Sequence, residues 1–287
     1  MDGLYRSCQP RSRACGDVAA LTVEQTPLVR RLIAPNPGPF TGPGTNTYLV
    51  GTGDFRAVVD PGPENPAHID RIMEALEAEK AKVEVILVTH SHPDHLPGAR
   101  ILHERTAAPL AADGTIRGVD RSLTPGQRIP LPGCSVEALF TPGHAGDHYC
   151  FLMDQDGALF SGDLILGKGT VTVKDMDDYL ASLRSLQNLG IRSILPGHWH
   201  PVDDAEAKIA EYIDHRLERE RQVIAALKAG DRTTMAIAQR IYPPDLDPRL
   251  RAASRASVAS HLIALEKRGA VRSQRIEDRI EYELVAD

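Results

Sequence analysis

VEVILVTHSHPDHLPGAR, residues 83–100, opens on an apolar run and then places three histidines and an aspartate within six positions. The Val- and Ile-rich run reads as a buried strand. Residues two apart in an extended chain point the same way, so His90 and His92 face one point as the strand ends. Asp94 and His95 follow, on the turn into a helix that begins at LPGARIL. Buried imidazoles and carboxylates need partners. A charged surface loop would explain one such histidine; the whole cluster points to a shared metal ion, or to two.

Further residues of ligand type stand where other strands are expected to end: His144 in LFTPGHAGDH, Asp163 in LFSGD and His198 in SILPGHWH. A glycine precedes each, letting the backbone turn sharply and approach an ion.

Up to about residue 200, short strands alternate with Gly/Pro punctuation and helices. HIDRIMEALEAEKA carries a helical stripe of Ile69, Ile72, Met73 and Leu76, and MDDYLASLRSLQNLG repeats the pattern. Fully apolar strands beside such helices imply an α/β layered domain. After Pro201 the texture changes. A long amphipathic helix carries Ile209, Ile213, Leu217, Ile224 and Leu227. TTMAIAQRIY is a short second helix. RLRAASRASVASHLIALEKRG is a third, with Val258, Leu262 and Leu265 on one face and Arg255, Ser257 and His261 expected on the outer face. A hairpin turning at Glu277-Asp278 completes a winged-helix-like α+β unit. The expected organisation is a flexible leader over 1–20, a catalytic domain over 21–203 and the winged-helix-like unit over 204–287.

Composition narrows the function classes. The 287 residues are 42% hydrophobic and 25% charged, with a net charge of -6, which gives no global pull toward nucleic acid or anionic lipid. From Ala205 onward there are 15 basic and 14 acidic residues, so the remainder carries -7, while Arg249 to Arg279 holds 8 basic and 3 acidic residues. No C-x-x-C pair occurs among the four cysteines, which argues against a zinc ribbon and for reduced thiols. No apolar run approaches the roughly 20 residues of a membrane span. The first twenty residues lack the apolar segment of a secretory signal, so the cytoplasm is the expected compartment, with an Arg-rich organellar leader as the alternative.

In this order, THSHPDH, TPGHAGDH, SGD and PGHWH, together with Asp60 in AVVDPG, resemble the five-motif signature of the metallo-β-lactamase-fold hydrolases. The resemblance covers about residues 28 to 200. It implies an αββα sandwich with two metals at one edge. His90, His92 and His144 would hold the first, Asp94, His95 and His198 the second, and Asp163 would bridge them. Zinc suits these donors best, with manganese or iron also admitted. Asp60 would orient ligand histidines, and His148 and His200, beside ligands, would serve hydrogen bonding or substrate contact. His68, His103, His215 and His261 match no motif.

Water shared by two dications loses a proton readily, so a bridging hydroxide is the expected nucleophile, with Asp94 able to orient it or accept its proton. More narrowly, NPGPFTGPGTNTYLVG, FSGDLILGKGT and the helical tail are similar to the group containing beta-lactamase-like protein 2, an endoribonuclease. That similarity, the basic stretch of the tail and Lys168 in GKGT make single-stranded RNA the first expected substrate. A thioester, ester or lactone of a small metabolite is the alternative, and the acidic catalytic portion fits it. A non-enzymatic winged-helix regulator is disfavoured by the intact ligand set, and β-lactam hydrolysis by the lack of an export signal. The tail has no aromatic interleaving for single strands, so shaping the cleft or forming a homodimer contact are its other expected roles.

Overall fold

The structure, a computed structural model, describes residues 22–26 and 28–285; the expected leader over 1–20 lies outside the described residues. Two β-sheets lie face to face between helical layers. The first has seven strands in chain order: β1 (Thr22–Thr26), β2 (Val29–Ile33), β3 (Asn46–Val50), β4 (Phe55–Val59), β5 (Lys82–Leu87), β6 (Leu110–Ala112) and β7 (Arg121–Ser122). Its first four strands pair antiparallel and β4 through β7 pair in parallel. The crossovers from β4 to β5 and from β5 to β6 are supplied by α1 (Pro66–Ala78) and α2 (Leu96–Thr106), while irregular chain joins β6 to β7. Asn65 caps α1 by accepting from the His68 N–H, and Pro66 fixes its first turn.

The second sheet contains β8 (Gln127–Leu131), β9 (Cys134–Phe140), β10 (Tyr149–Met153), β11 (Ala158–Gly162) and β12 (Ser193–Pro196), in the spatial order β12-β11-β10-β9-β8. Only β11 and β12 are parallel, joined through α3 (Met176–Ser185).

Side-chain alternation builds the layers. On β4 and β5, Ala57, Val59, Val85 and Leu87 enter the space between the sheets, where they meet Phe151 and Phe160. Val58, Ile86 and Val88 point the other way, onto Ile69, Ile72 and Leu102 of α1 and α2. On the second sheet, Cys150, Leu152, Leu159 and Ile194 face α3 and the start of α4 (Ala205–Lys228). Both faces of these strands are covered, which is why they read as unbroken apolar runs. The αββα sandwich is therefore the observed fold. Sequence reading missed β1, whose TVEQT has no apolar pattern, the very short β6 and β7, and β8, whose QRIPL is interrupted by a proline.

The tail comprises α5 (Thr234–Ile241), α6 (Arg251–Lys267) and the hairpin of β13 (Val271–Ile276) and β14 (Arg279–Leu284). Helix α4 belongs to two cores. Ala205, Ile209, Tyr212 and Ile213 pack behind the second sheet, whereas Val223, Ala226 and Leu227 pack with Ile237, Val258, Leu262 and Leu265 of the tail. Helix α4 thus contributes to both cores. His261 corrects an expectation. It is fully buried, because it lies three positions after Val258 on the packed stripe, and burial with Arg216 and Arg219 nearby pushes its pKa down to about 3. Arg255 is exposed and Ser257 half-buried. No helix among the described residues is long and apolar enough to cross a membrane.

Candidate metal centre

Every candidate ligand sits just beyond a strand end, on one edge of the sandwich. Thr89 to His95 descend from β5 into α2, His144 lies in the turn from β9 to β10, Asp163 follows β11 and His198 follows β12. The glycine before His198 is required by crowding: a Cβ on Gly197 would come within 2.8 Å of both Asp163 Oδ1 and His95 Cε1. His95 stands at the N-cap of α2 yet makes no capping bond, which forgoes about 1 kcal/mol of helix stability. Its ring is committed to the site instead.

The donors gather in two sets: His90, His92, His144 and Asp163, and Asp94, His95 and His198, with the atoms of each set within 4.8 Å of one another. His92 Nδ1 is 2.9 Å from His90 Nε2 and 3.0 Å from His144 Nε2. His198 Nε2 is 3.1 Å from Asp94 Oδ2. Asp163 reaches both sets. Its Oδ2 is 3.7 Å from His144 Nε2, while its Oδ1 is 3.5 Å from His95 Nε2 and 3.4 Å from His198 Nε2.

Hydrogen bonds behind the rings decide which nitrogens carry protons. The carbonyl of Thr172 can only accept, so His144 donates from Nδ1 at 2.8 Å and keeps a lone pair on Nε2. Asp60 Oδ2 receives the His95 Nδ1 proton at 2.8 Å. The same oxygen takes the Thr89 hydroxyl proton at 2.8 Å, which leaves Thr89 Oγ1 to accept from His90 Nδ1 at 3.0 Å. Lone pairs on His90, His95 and His144 therefore all point inward. His95 Nε2 and Asp163 Oδ1 are buried with no hydrogen-bond partner among the described residues. Converging lone pairs and orphaned donors of this kind fit divalent cations.

Electrostatics agree. Burial opposes the charge of Asp163, but His198 and His95 hold its carboxyl well below the usual carboxylate range. Burial would lower His198, yet Asp163 and Asp94 carry it up to about 9. His95 is likewise raised well above normal by Asp60 and Asp163 against the effect of burial. Burial and neighbouring rings hold His90 well below normal. Ionised carboxylates facing inward thus draw positive charge, carried here by protons on His95 and His198 that a bound cation would displace.

The remaining candidates divide. Asp60 is buried behind the ligands, with its backbone at φ 47° and its Oδ1 accepting the Thr89 N–H at 2.8 Å. His148 is fully buried, and both ring nitrogens are engaged: Nδ1 with Thr141 Oγ1, and Nε2 as acceptor for the Asp163 N–H at 3.2 Å. It steadies the backbone of Asp163 and has no face free for substrate. His200 is exposed and not part of either donor set. Lys168 is exposed, with Nζ 5.4 Å from the centre of the Trp199 ring. His68 is a core residue, 2.9 Å from Thr47 Oγ1. Sequence reading assigned no role to Thr89, although it stands inside the quoted motif. The Thr172 carbonyl, and the Gly44 carbonyl 3.4 Å from His198 Nδ1, have no side-chain signal to read.

Comparison with known proteins agrees with this geometry. The sequence profile of the metallo-beta-lactamase superfamily matches residues 40–119 and 110–198, and that of the beta-lactamase associated winged helix domain matches 233–279. A beta-lactamase-like protein 2 homolog from Caenorhabditis elegans is 36% identical over 225 residues, covering 75% of this chain and 76% of its own. An atrochrysone carboxyl ACP thioesterase from Aspergillus fumigatus is 38% identical over 208 residues, covering 71% and 66%. Among solved structures, a beta-lactamase domain protein from Burkholderia ambifaria superposes with a TM-score of 0.80 at 22% identity, covering 94% of this chain and 95% of its own; at that identity it speaks for the fold alone. The chain belongs to the metallo-beta-lactamase superfamily, as a hydrolase whose catalytic sandwich is followed by a beta-lactamase-associated winged helix domain.

Proposed function

We propose that the chain is a two-metal hydrolase acting on acyl thioesters or related esters. The observation that carries it is the convergence of seven donors into two sets that share Asp163. His90, His92 and His144 would hold one cation, Asp94, His95 and His198 the other, and five imidazoles in the set favour zinc. Bound there, the cations supply Lewis acidity, acidifying water and offsetting charge that develops on the substrate oxygen. Asp163 spans both positions. Asp94 is more exposed than Asp163, so it can orient water and take its proton from the cleft side.

The choice of acyl substrate rests on the surroundings. The loop that offers the Gly44 carbonyl to His198 also carries Phe40, 50% exposed, an apolar side chain available to an acyl group. The basic stretch of the tail is largely spent internally. Lys267 pairs with Asp175, Arg268 with Glu220, Arg249 with Asp247, Arg272 with Glu283 and Arg279 with Glu281. Five of the eight basic residues in that stretch are paired in this way, which weakens the first expectation of RNA. The fungal relative named as an acyl-carrier thioesterase supports the same reading. RNA remains the second reading on one observation: Lys168 stacked on Trp199 puts a cation and an aromatic face beside His198.

The test is kcat/KM of zinc-loaded protein on acyl thioesters, lactones and single-stranded RNA. Thioesters are expected to lead, with little salt dependence. RNA binding through three phosphates would instead lose about 1.5 decades of affinity between roughly 50 and 250 mM salt, at about -0.7 per contact. Lys168→Ala is then expected to raise KM for RNA and leave an uncharged thioester unaffected. Efficient RNA cleavage that vanishes in Asp163→Ala, with idle acyl substrates, would reverse the order of the two readings.

A further inference from the structure

The acceptor that orients His144 is a backbone carbonyl, that of Thr172, on the irregular segment between β11 and α3. Such a carbonyl is only as fixed as its loop. This loop is held by α4. The Tyr212 hydroxyl receives the Leu166 N–H at 3.0 Å and lies 3.0 Å from the Gly169 carbonyl. One helical turn later, Arg216 Nη2 donates to Thr170 Oγ1 at 2.5 Å and to the Val171 carbonyl at 2.9 Å. Residues four apart share a helix face, so a single face of α4 holds the loop at two points.

Arg216 is 1% exposed, and no carboxylate pairs with it among the described residues. Burying an uncompensated guanidinium is costly. What it has instead is the two loop contacts, placed immediately before Thr172, and the face of the Tyr179 ring 5.1 Å away. Tyr179 also packs against Gly143, the residue before His144. A Cβ on Gly143, whose φ is 131°, would lie 2.3 Å from Tyr179 Cα, and the Gly143 carbonyl accepts from the N–H groups of Lys174 and Asp175.

We propose that Arg216 is a positioning residue. By fixing the Thr172 carbonyl it sets the rotation of the His144 ring, so metal affinity at the His90, His92, His144 set depends on α4, a helix outside the span 40–198 that the superfamily profile matches. The inference rests on His144 being a metal ligand. Arg216→Met keeps the volume and removes the donors. The two zinc affinities are measured by competition with a chromophoric chelator, alongside Tm in excess chelator. One affinity is expected to fall about ten-fold, the low end for partners behind a ligand, and the other to hold. Thr170→Val, at an exposed position, and Arg216→Lys, which keeps the charge, are expected to give smaller losses at the same site; they carry the test if Arg216→Met fails to fold. Unchanged affinities, or two affinities falling together with Tm, would mean that Arg216 is a general brace and end the proposal. A wild-type chain that binds no metal overturns the reading of the site and this inference with it; two tight sites unaffected by Arg216→Met overturn the inference alone.

Discussion

Asp163→Ala is expected to lower turnover by about 10³-fold or more, beyond the 10²–10³ that a single stabilising contact supplies, because two positions are damaged at once. Its two oxygens point to different sets, Oδ2 toward His144 and Oδ1 toward His95 and His198. The variant should therefore lose affinity for both metals. His198→Ala removes a donor from the second set only and should spare the first. Kinetics with elemental analysis of the dialysed variants check this. An Asp163→Ala protein that keeps both metals and near-native turnover would show that the carboxylate does not bridge.

Asp60→Asn is expected to weaken both metals while leaving the chain folded. Asparagine tolerates the left-handed backbone of residue 60, where φ is 47°. The Thr89 N–H needs an acceptor, so the amide oxygen must replace Oδ1, and the NH₂ group then replaces Oδ2. There it becomes a donor to His95 Nδ1 and to Thr89 Oγ1, where the carboxylate had accepted. His95 is forced to carry its proton on Nε2, facing the site. The Thr89 hydroxyl, released from Asp60, turns its proton on His90 Nδ1 and reverses that ring as well. One ligand in each set is thus switched to the wrong tautomer. The expected loss is about 10–100-fold in affinity at each position, with Tm in excess chelator close to wild type. Asp60→Ala should differ, because it leaves buried groups unpaired at about 3–5 kcal/mol and so also costs stability. Loss of one metal only, with the other untouched, would show that the Thr89 relay to His90 is not in force.

The sandwich and the gathering of seven candidate donors were legible because each rests on a local pattern. Apolar runs covered on two faces mark the central strands, and His90, His92, Asp94 and His95 cluster where one of them ends. What could not be read is non-local or backbone-borne. The Thr172 and Gly44 carbonyls leave no trace in residue type. Nothing in the sequence singles out Arg216, and only packing shows it buried against the loop that orients His144. His148 and His200 looked alike beside their motifs; the fold buries the first behind Asp163 and leaves the second in solvent. The tail's basic stretch suggested a phosphate grip, but sequence cannot show that most of those arginines and lysines already face acidic partners.

If two cations held in sets joined by Asp163 do the chemistry, activity must follow the count of bound metal. Purified chain is stripped with chelator, then titrated with zinc while acyl-thioester turnover and bound metal are followed together. No turnover is expected in the stripped protein, followed by a rise that saturates at about two ions per chain, as two-ion hydrolysis requires. Full turnover by protein that holds no metal would contradict it.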